Sequence, residues 1–231
     1  MGEIVLVRHG QASFEGDNYD QLSDIGAQQA RILGRYFSDR NIAFHHAVCG
    51  DMVRQTETLD AILEVPTKNG APTRSVHSGL NEYDFRTLVT RFIECQPGNE
   101  LVTALLKDRS DKKAYYRLLR LVLHTWSRGG LTQCGESWSE FVERIEAARS
   151  AIETTATRGR RILVVASGGS ISSIIGQVLG LTPDKIFDLN LQVYNTSISR
   201  LFVGSSKASV ASFNEIPHLA GPEQIGYVTY G

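Results

Sequence analysis

Four short stretches of this 231-residue chain carry residue types suited to handling phosphate. The first is Arg8-His9-Gly10, which ends the apolar run at residues 4–7. Arginine presents a fixed fork of donors matched to phosphate or carboxylate and stays charged at any relevant pH. Neutral histidine is a nucleophile or a base, and glycine lets backbone approach a ligand closely. The second is Arg54, early in a helical segment, where a guanidinium joins the unpaired N–H groups of a helix N-terminus. The third is Glu82 with Asp84 in LNEYDF. Residues two apart in extended chain share a face, and one such acid can protonate a leaving group and then activate water. The fourth is Ser167-Gly168-Gly169, a strand-to-helix turn that exposes backbone N–H groups. Each stretch also has a plainer alternative: a packed histidine beside a surface arginine, a solvated helix arginine, two exposed loop acids, and a serine that caps a helix.

The elements that must position these residues can be read from the same sequence. IVLV has the character of a buried strand, and a polar loop follows it. LSDIGAQQARILGRYFSD is a helix with Leu22, Ala30, Leu33 and Phe37 on its apolar face and Ser23 as N-cap. HHAVCG is a strand running into the helix DMVRQTETLDAIL, and RSVHSGL is a third strand that leads into NEYDF. From about residue 86 to 128 the pattern turns to helical segments separated by QPGN and DRSDKK. This is an insertion over the face of the domain, with no Gly/Ser linker to set it apart. GESWSEFVERIEAARSAIE is a helix with a Ser137/Glu140 capping box and an apolar face of Trp138, Phe141, Ile145, Ala148 and Ile152. RRILVVAS is a central strand, GGSISSIIGQVLG a helix ending at Gly180, and SISRLFVGS and ASVASFNEI two closing strands. The expected class is α/β: one domain over residues 1–231, with a mostly parallel sheet and helices on both faces. Ligands in such folds bind at the carboxyl ends of strands, where Arg8 and His9 stand.

Composition narrows the classes of function. The chain is 42% hydrophobic and 21% charged, with 24 Lys+Arg against 25 Asp+Glu and a net charge of −1. Such a balance offers no general attraction to nucleic acid or to an anionic membrane, so neither is expected as a partner. Three cysteines far apart form no disulfide framework and no zinc pattern, which favours a reducing compartment. With no signal segment and no long apolar run, a cytoplasmic location is expected. His45 and His46 are adjacent and point to opposite faces of a strand, and His77, His124 and His218 have no ligand spacing, so neither metal nor cofactor is expected.

Taken together the stretches resemble the histidine phosphatase superfamily, the phosphoglycerate mutase-like fold. LVRHGQAS is similar to its signature strand, LSDIGAQQA to the helix that follows, and CGDMVRQTETL to the pattern Ser-Pro-Leu-x-Arg-Ala-x-Gln-Thr. That register places Arg at Arg54 and Thr at Thr58, with Asp51 in place of Pro and Glu57 in place of Gln. LNEYD resembles the Leu-x-Glu element, GES at 135–137 another, and NTSISRL the final Asn-containing strand. The resemblance runs from about residue 3 to 204. It implies that His9 attacks phosphorus and becomes a phosphohistidine, and that Glu82 protonates the leaving oxygen and then activates water. Arg8, Arg54, Ser167 and Gly168 would hold the phosphoryl oxygens, with Gln11 and Ser13 at the substrate. A phosphorylated small molecule or a phosphoprotein would be the partner; nothing in the sequence sets an oligomeric state.

Two departures bear on activity. The family reads Ser-His-Gly-Gly after the last core strand, and Ser167 stands where that histidine would be. A hydroxyl donates one hydrogen bond to phosphate but carries no charge, and loss of such a donor typically costs ~10²–10³ in rate. A slower phosphatase is therefore expected, with an inactive phospho-ligand binding protein as an alternative. Second, mutases of the family continue Arg-His-Gly-Glu toward a Trp-Asn pair. Here Gln11, Ala12, Ser13, Phe14 and Glu15 follow, with Glu15 in place of that Asn, which favours phosphatase over mutase. Substrate choice would fall to residues 86–128, where Arg86, Arg91, Lys107, Arg109, Lys112 and Lys113 are candidate contacts or simply a solvated face.

Overall fold

A computed structural model describes residues 1–13, 20–67, 70–108, 111–157, 159–205 and 207–230. The strands are β1 (Gly2–Arg8), β2 (His46–Cys49), β3 (Thr73–Val76), β4 (Arg161–Ala166), β5 (Ile198–Val203) and β6 (Ala208–Glu215). They form one sheet in the order β3-β2-β4-β1-β5-β6. The pairs β3/β2, β2/β4 and β4/β1 are parallel, and β1/β5 and β5/β6 antiparallel. The expected mostly parallel sheet is present, with an antiparallel hairpin closing one edge.

The helices are α1 (Asp24–Asp39), α2 (Val53–Leu63), α3 (Phe85–Cys95), α4 (Glu100–Lys107), α5 (Lys112–Ser127), α6 (Trp138–Thr155), α7 (Gly168–Leu179) and α8 (Pro183–Asn190). A strand's side chains alternate between faces, and the central strands sort their residues into two cores accordingly. Ile4, Leu6, Ile162, Val164 and Ala166 join Phe141, Ile145 and Ile174 on one side. Val5, Val7, Leu163 and Val165 join Leu33, Phe37, Leu59 and Ile62 from α1 and α2 on the other. Covering both faces makes β1 and β4 unbroken apolar runs rather than alternating ones. α3, α4 and α5 follow one another between β3 and α6, and their Leu88, Phe92, Val102, Leu118 and Trp126 join the first core.

Local signals behave as their chemistry demands. Ser23 accepts from the Gly26 N–H at 3.1 Å, and Ser137 and Glu140 close a reciprocal capping box. α8 is an element that the sequence pattern does not announce. Thr182 and Pro183 start it correctly, but it buries only Ile186 and Phe187, too few apolar positions to show a period.

Candidate active site

β1 delivers His9 to the carboxyl edge of the sheet, and the backbone is pinned on both sides. The His9 N–H donates to Ala166 O at 2.9 Å, while Asn195 Nδ2 donates to His9 O at 3.2 Å. The chain then passes hard against α1. A Cβ on Gly10 would stand 2.5 Å from Gly26 O, which is why no side chain is tolerated there. The Gly10 N–H donates to Thr58 Oγ1 at 3.0 Å, and Thr58 donates in turn to Arg54 O at 2.6 Å. One threonine thus locks the His9–Gly10 loop to the register of the α2 arginine.

The ring of His9 is buried and its tautomer is set by its neighbours. Gly10 O can only accept, so Nδ1 carries the proton in the 2.7 Å bond between them. Nε2 is then the lone-pair nitrogen, and Arg54 Nε donates to it at 3.1 Å. Burial, then the charges of Arg54 and Arg8, hold the imidazole pKa well below 6.5, against the opposing pull of Gly10 O. Neutral imidazole with its lone pair on Nε2 is the form a phosphorus nucleophile requires.

Arg54 is almost fully buried, and its Nη1 also pairs with Asp20 Oδ1 at 2.7 Å. The other Asp20 oxygen accepts from the Val53 N–H at 2.8 Å at the start of α2. Arg8 Nη1 donates to Val193 O. The Arg8 guanidinium lies against Gly168, where a Cβ would come within 3.5 Å of Arg8 Nε.

Glu82 reaches the same edge from the 3-10 turn Ser78–Leu80. Its Oε2 accepts from the Gly169 N–H at 2.8 Å and its Oε1 from its neighbour Tyr83 N–H at 3.3 Å. Burial raises its pKa above 4.5, with the Gly169 N–H, Arg54, Arg8 and the Tyr83 N–H opposing. A carboxyl with its pKa raised and an imidazole with its pKa lowered, both at this sheet edge, make an acid/base pair whose members are driven apart by their surroundings. The turn that carries Glu82 is braced: Arg144 donates to Gly79 O at 3.0 Å and to Asn81 O at 2.8 Å while bound to the Glu136 carboxylate. GES thus has two structural duties, Glu136 in this brace and Ser137 in the helix cap.

A match to the family described as histidine phosphatase superfamily, branch 1, covers residues 4–216. The chain belongs to that superfamily. Among its relatives is a 2,3-bisphosphoglycerate-dependent phosphoglycerate mutase of Allorhizobium ampelinum, 28% identical over 229 residues, which span 95% of this chain and 98% of the relative. Its fold is shared by a phosphoglycerate mutase from Bacillus anthracis, with a TM-score of 0.67, 21% identity and 94% of each chain covered. The fold is shared too by a phosphoserine phosphatase from Entamoeba histolytica, with a TM-score of 0.64, 19% identity, and 95% and 100% covered. Members of both kinds, phosphatases and mutases, stand around it.

Within this histidine phosphatase fold, Arg8, His9, Arg54, Glu82, Ser167 and Gly168 come to one sheet edge: Arg54 bonds His9, Arg8 lies against Gly168, Glu82 bonds the Gly169 N–H, and Ser167 follows Ala166, whose carbonyl holds the His9 N–H. Gln11 and Ser13 are engaged with α1 and its approach. Gln11 Oε1 accepts from Ser23 Oγ at 3.0 Å, and the Ser13 N–H donates to Gln21 O at 2.8 Å. Asp84 caps α3 through the Thr87 N–H at 3.1 Å rather than sharing the work of Glu82. Glu15 and Arg109 lie outside the described residues, as does the Lys112 side chain. Arg91 is held by Gln133 O at 2.9 Å and Glu94 at 2.6 Å.

Both substitutions in the α2 pattern have partners: Asp51 pairs with Asn81, and Glu57 accepts from the Leu22 N–H at 2.8 Å. The other histidines are structural. His46 bonds Thr73 and Ser75, and His45 Nδ1 accepts from the Arg161 N–H at 3.1 Å. Among the described residues no group of three or more His, Cys, Asp and Glu could hold a metal ion, and no helix is long and apolar enough to cross a membrane. Sequence reasoning missed Gln55 and Asp20.

Proposed function

We propose that this chain is a phosphomonoester phosphatase acting through a phosphohistidine on His9, with a phosphorylated small molecule or a phosphoprotein as substrate. The observation that carries the reading is the His9 tautomer: Nδ1–H committed to Gly10 O, and Nε2 bearing the lone pair beside Arg54. In the first step Nε2 attacks phosphorus in line, the P–O ester bond breaks, and Glu82 gives its proton to the departing oxygen. Arg8, Arg54, the Gly168 N–H and Ser167 hold the phosphoryl oxygens as charge redistributes. In the second step the Glu82 carboxylate takes a proton from water as the water oxygen attacks phosphorus. The P–N bond then breaks and returns its electron pair to Nε2.

Hydrolysis rather than transfer is supported by the residues that follow His9 and Gly10: Gln11, Ala12, Ser13, Phe14 and Glu15 stand where mutases of the family carry Glu and then a Trp-Asn pair. A mutase must hold a second anionic group of its substrate, and a glutamate at position 15 is poor company for one. The second reading, phosphoglycerate mutase-type transfer, is favoured by the name of the 28% identical relative. Incubation with 3-phosphoglycerate separates the two: phosphate release supports the phosphatase, and the 2-phospho isomer supports the mutase.

A further inference from the structure

Two consecutive residues of α2 reach two neighbouring strand ends. Arg54 Nε donates to His9 Nε2 at 3.1 Å, and Gln55 Nε2 donates to Ser167 Oγ at 2.9 Å. β1 and β4 pair in parallel with Arg8 opposite Ala166, so His9 and Ser167 are the next residues along each strand direction. Gln55 and Ser167 are both fully buried. The amide orientation is fixed independently, because Nε2 also donates to Leu80 O at 3.2 Å and a flipped amide would set Oε1 against that carbonyl.

This contact dictates where the serine hydrogen is available. Ser167 begins α7 but makes no side-chain cap bond to it. Its oxygen accepts from Gln55, and among the described residues its hydroxyl hydrogen has no acceptor. Ser167 stands between Ala166, whose carbonyl holds the His9 N–H, and Gly168, which packs against Arg8. A hydroxyl whose accepting side is taken and whose donating side is open, set in this position, is a donor in waiting.

We propose that Gln55 is a positioning residue that holds Ser167 as a neutral hydrogen-bond donor to the phosphoryl group at His9. The proposal rests on His9 being the phosphoryl-bearing residue. The long side chain comes from α2 and the short one from the strand end, and the two touch. The site's positive charge is left to Arg8 and Arg54.

The test is a double-mutant cycle read by the affinity for inorganic phosphate, with thermal melts to show that each variant folds. Ser167→Ala should weaken phosphate about tenfold, the usual effect of losing a hydrogen bond to a charged acceptor. Gln55→Leu should weaken it severalfold, and Ser167→Ala with Gln55→Leu should be no weaker than Ser167→Ala alone, because the two act through one bond. Gln55→Glu should do more damage than Gln55→Leu, since a carboxylate turns the serine hydrogen toward itself; if that variant does not fold, the cycle decides. Ser167→His alone meets the Gln55 carboxamide and should bind phosphate less well than the swap Gln55→Ala with Ser167→His. Wild-type affinity in Gln55→Leu, or losses that multiply in the double variant, overturns the proposal. No phosphate binding by wild type overturns it together with the phosphatase reading. Phosphate binding without turnover of p-nitrophenyl phosphate counts against the phosphatase reading alone, and the cycle still reports on Gln55.

Discussion

Glu82 and Gly169 occupy each other's space. The Gly169 N–H donates to Glu82 Oε2 at 2.8 Å, and a Cβ on Gly169 would stand 2.2 Å from Glu82 Oε1. The acid is therefore seated on the first turn of α7, and the lack of a side chain at Gly169 is what allows it. Gly169→Ala should displace the carboxyl and lower kcat by about one to two orders of magnitude, part of the ~10²–10⁴ that a positioned acid contributes. Its melting temperature should fall far less than its activity. Equal activity in the two proteins would show that Glu82 does not work from this seat.

Glu82→Gln separates proton donation from packing. The amide keeps the size and cannot give up a proton, so kcat for an alkyl phosphate should drop about 10²–10⁴-fold. p-Nitrophenyl phosphate, whose leaving group needs little protonation, should suffer less in the first step. In kcat/KM, which reports the first step alone, a loss independent of the leaving group would assign Glu82 to binding instead.

The pH dependence of kcat/KM is set by the two environments. His9 must be neutral, and burial with Arg54 and Arg8 holds its pKa well below 6.5, so the acid limb should lie below that value. Glu82 must be protonated, and burial raises its pKa above 4.5, so the alkaline limb should lie above that value. Rates for an alkyl phosphate measured from about pH 4 to 8 should give a bell, and Glu82→Gln should remove its alkaline side. An alkaline limb that persists in that variant would belong to another group.

His218 makes a separate claim on stability. Thr196 Oγ1 donates to Asn195 O at 2.7 Å, so it accepts from His218 Nε2 at 3.0 Å. Burial lowers its pKa to about 3. The unfolded chain takes up this proton near pH 6.5, so the stability is complete above that value and is lost as pH falls toward 3. The loss is about 1.4 kcal/mol for each pH unit. His218→Gln keeps a donor to Thr196 without the titration. Denaturant unfolding should show the wild-type advantage over this variant shrinking steadily as the medium is acidified. A pH-independent difference would remove burial of a neutral imidazole as the cause.

Much of this frame is legible in the residues. β1 and β4 are covered on both faces, so their apolar runs are unbroken, and the polar residues at their carboxyl ends are obliged to leave the core at the ligand-binding edge. Ser23, Ser137 and Glu140 announce their helices because a cap needs a side-chain oxygen at a fixed offset. The features that could not be read depend on contacts distant in sequence. Gln55 meets Ser167, 112 residues away, and no local spacing marks such a pair. Arg144 braces the Glu82 turn from another helix, and Asp20 pairs with Arg54 from beyond α1. α8 stayed hidden because eight residues with two buried side chains carry no periodic signal.

The most direct test is chemical trapping on His9. Wild type and His9→Ala are mixed with p-nitrophenyl phosphate, quenched rapidly in alkali, and the phosphorylated residue is mapped. A phosphoryl group that survives alkali, is released by acid and resides on His9 is expected in the wild type, with neither phosphoenzyme nor turnover in His9→Ala. Turnover at the wild-type rate in His9→Ala, or a phosphoryl group on any other residue, would contradict the phosphohistidine route.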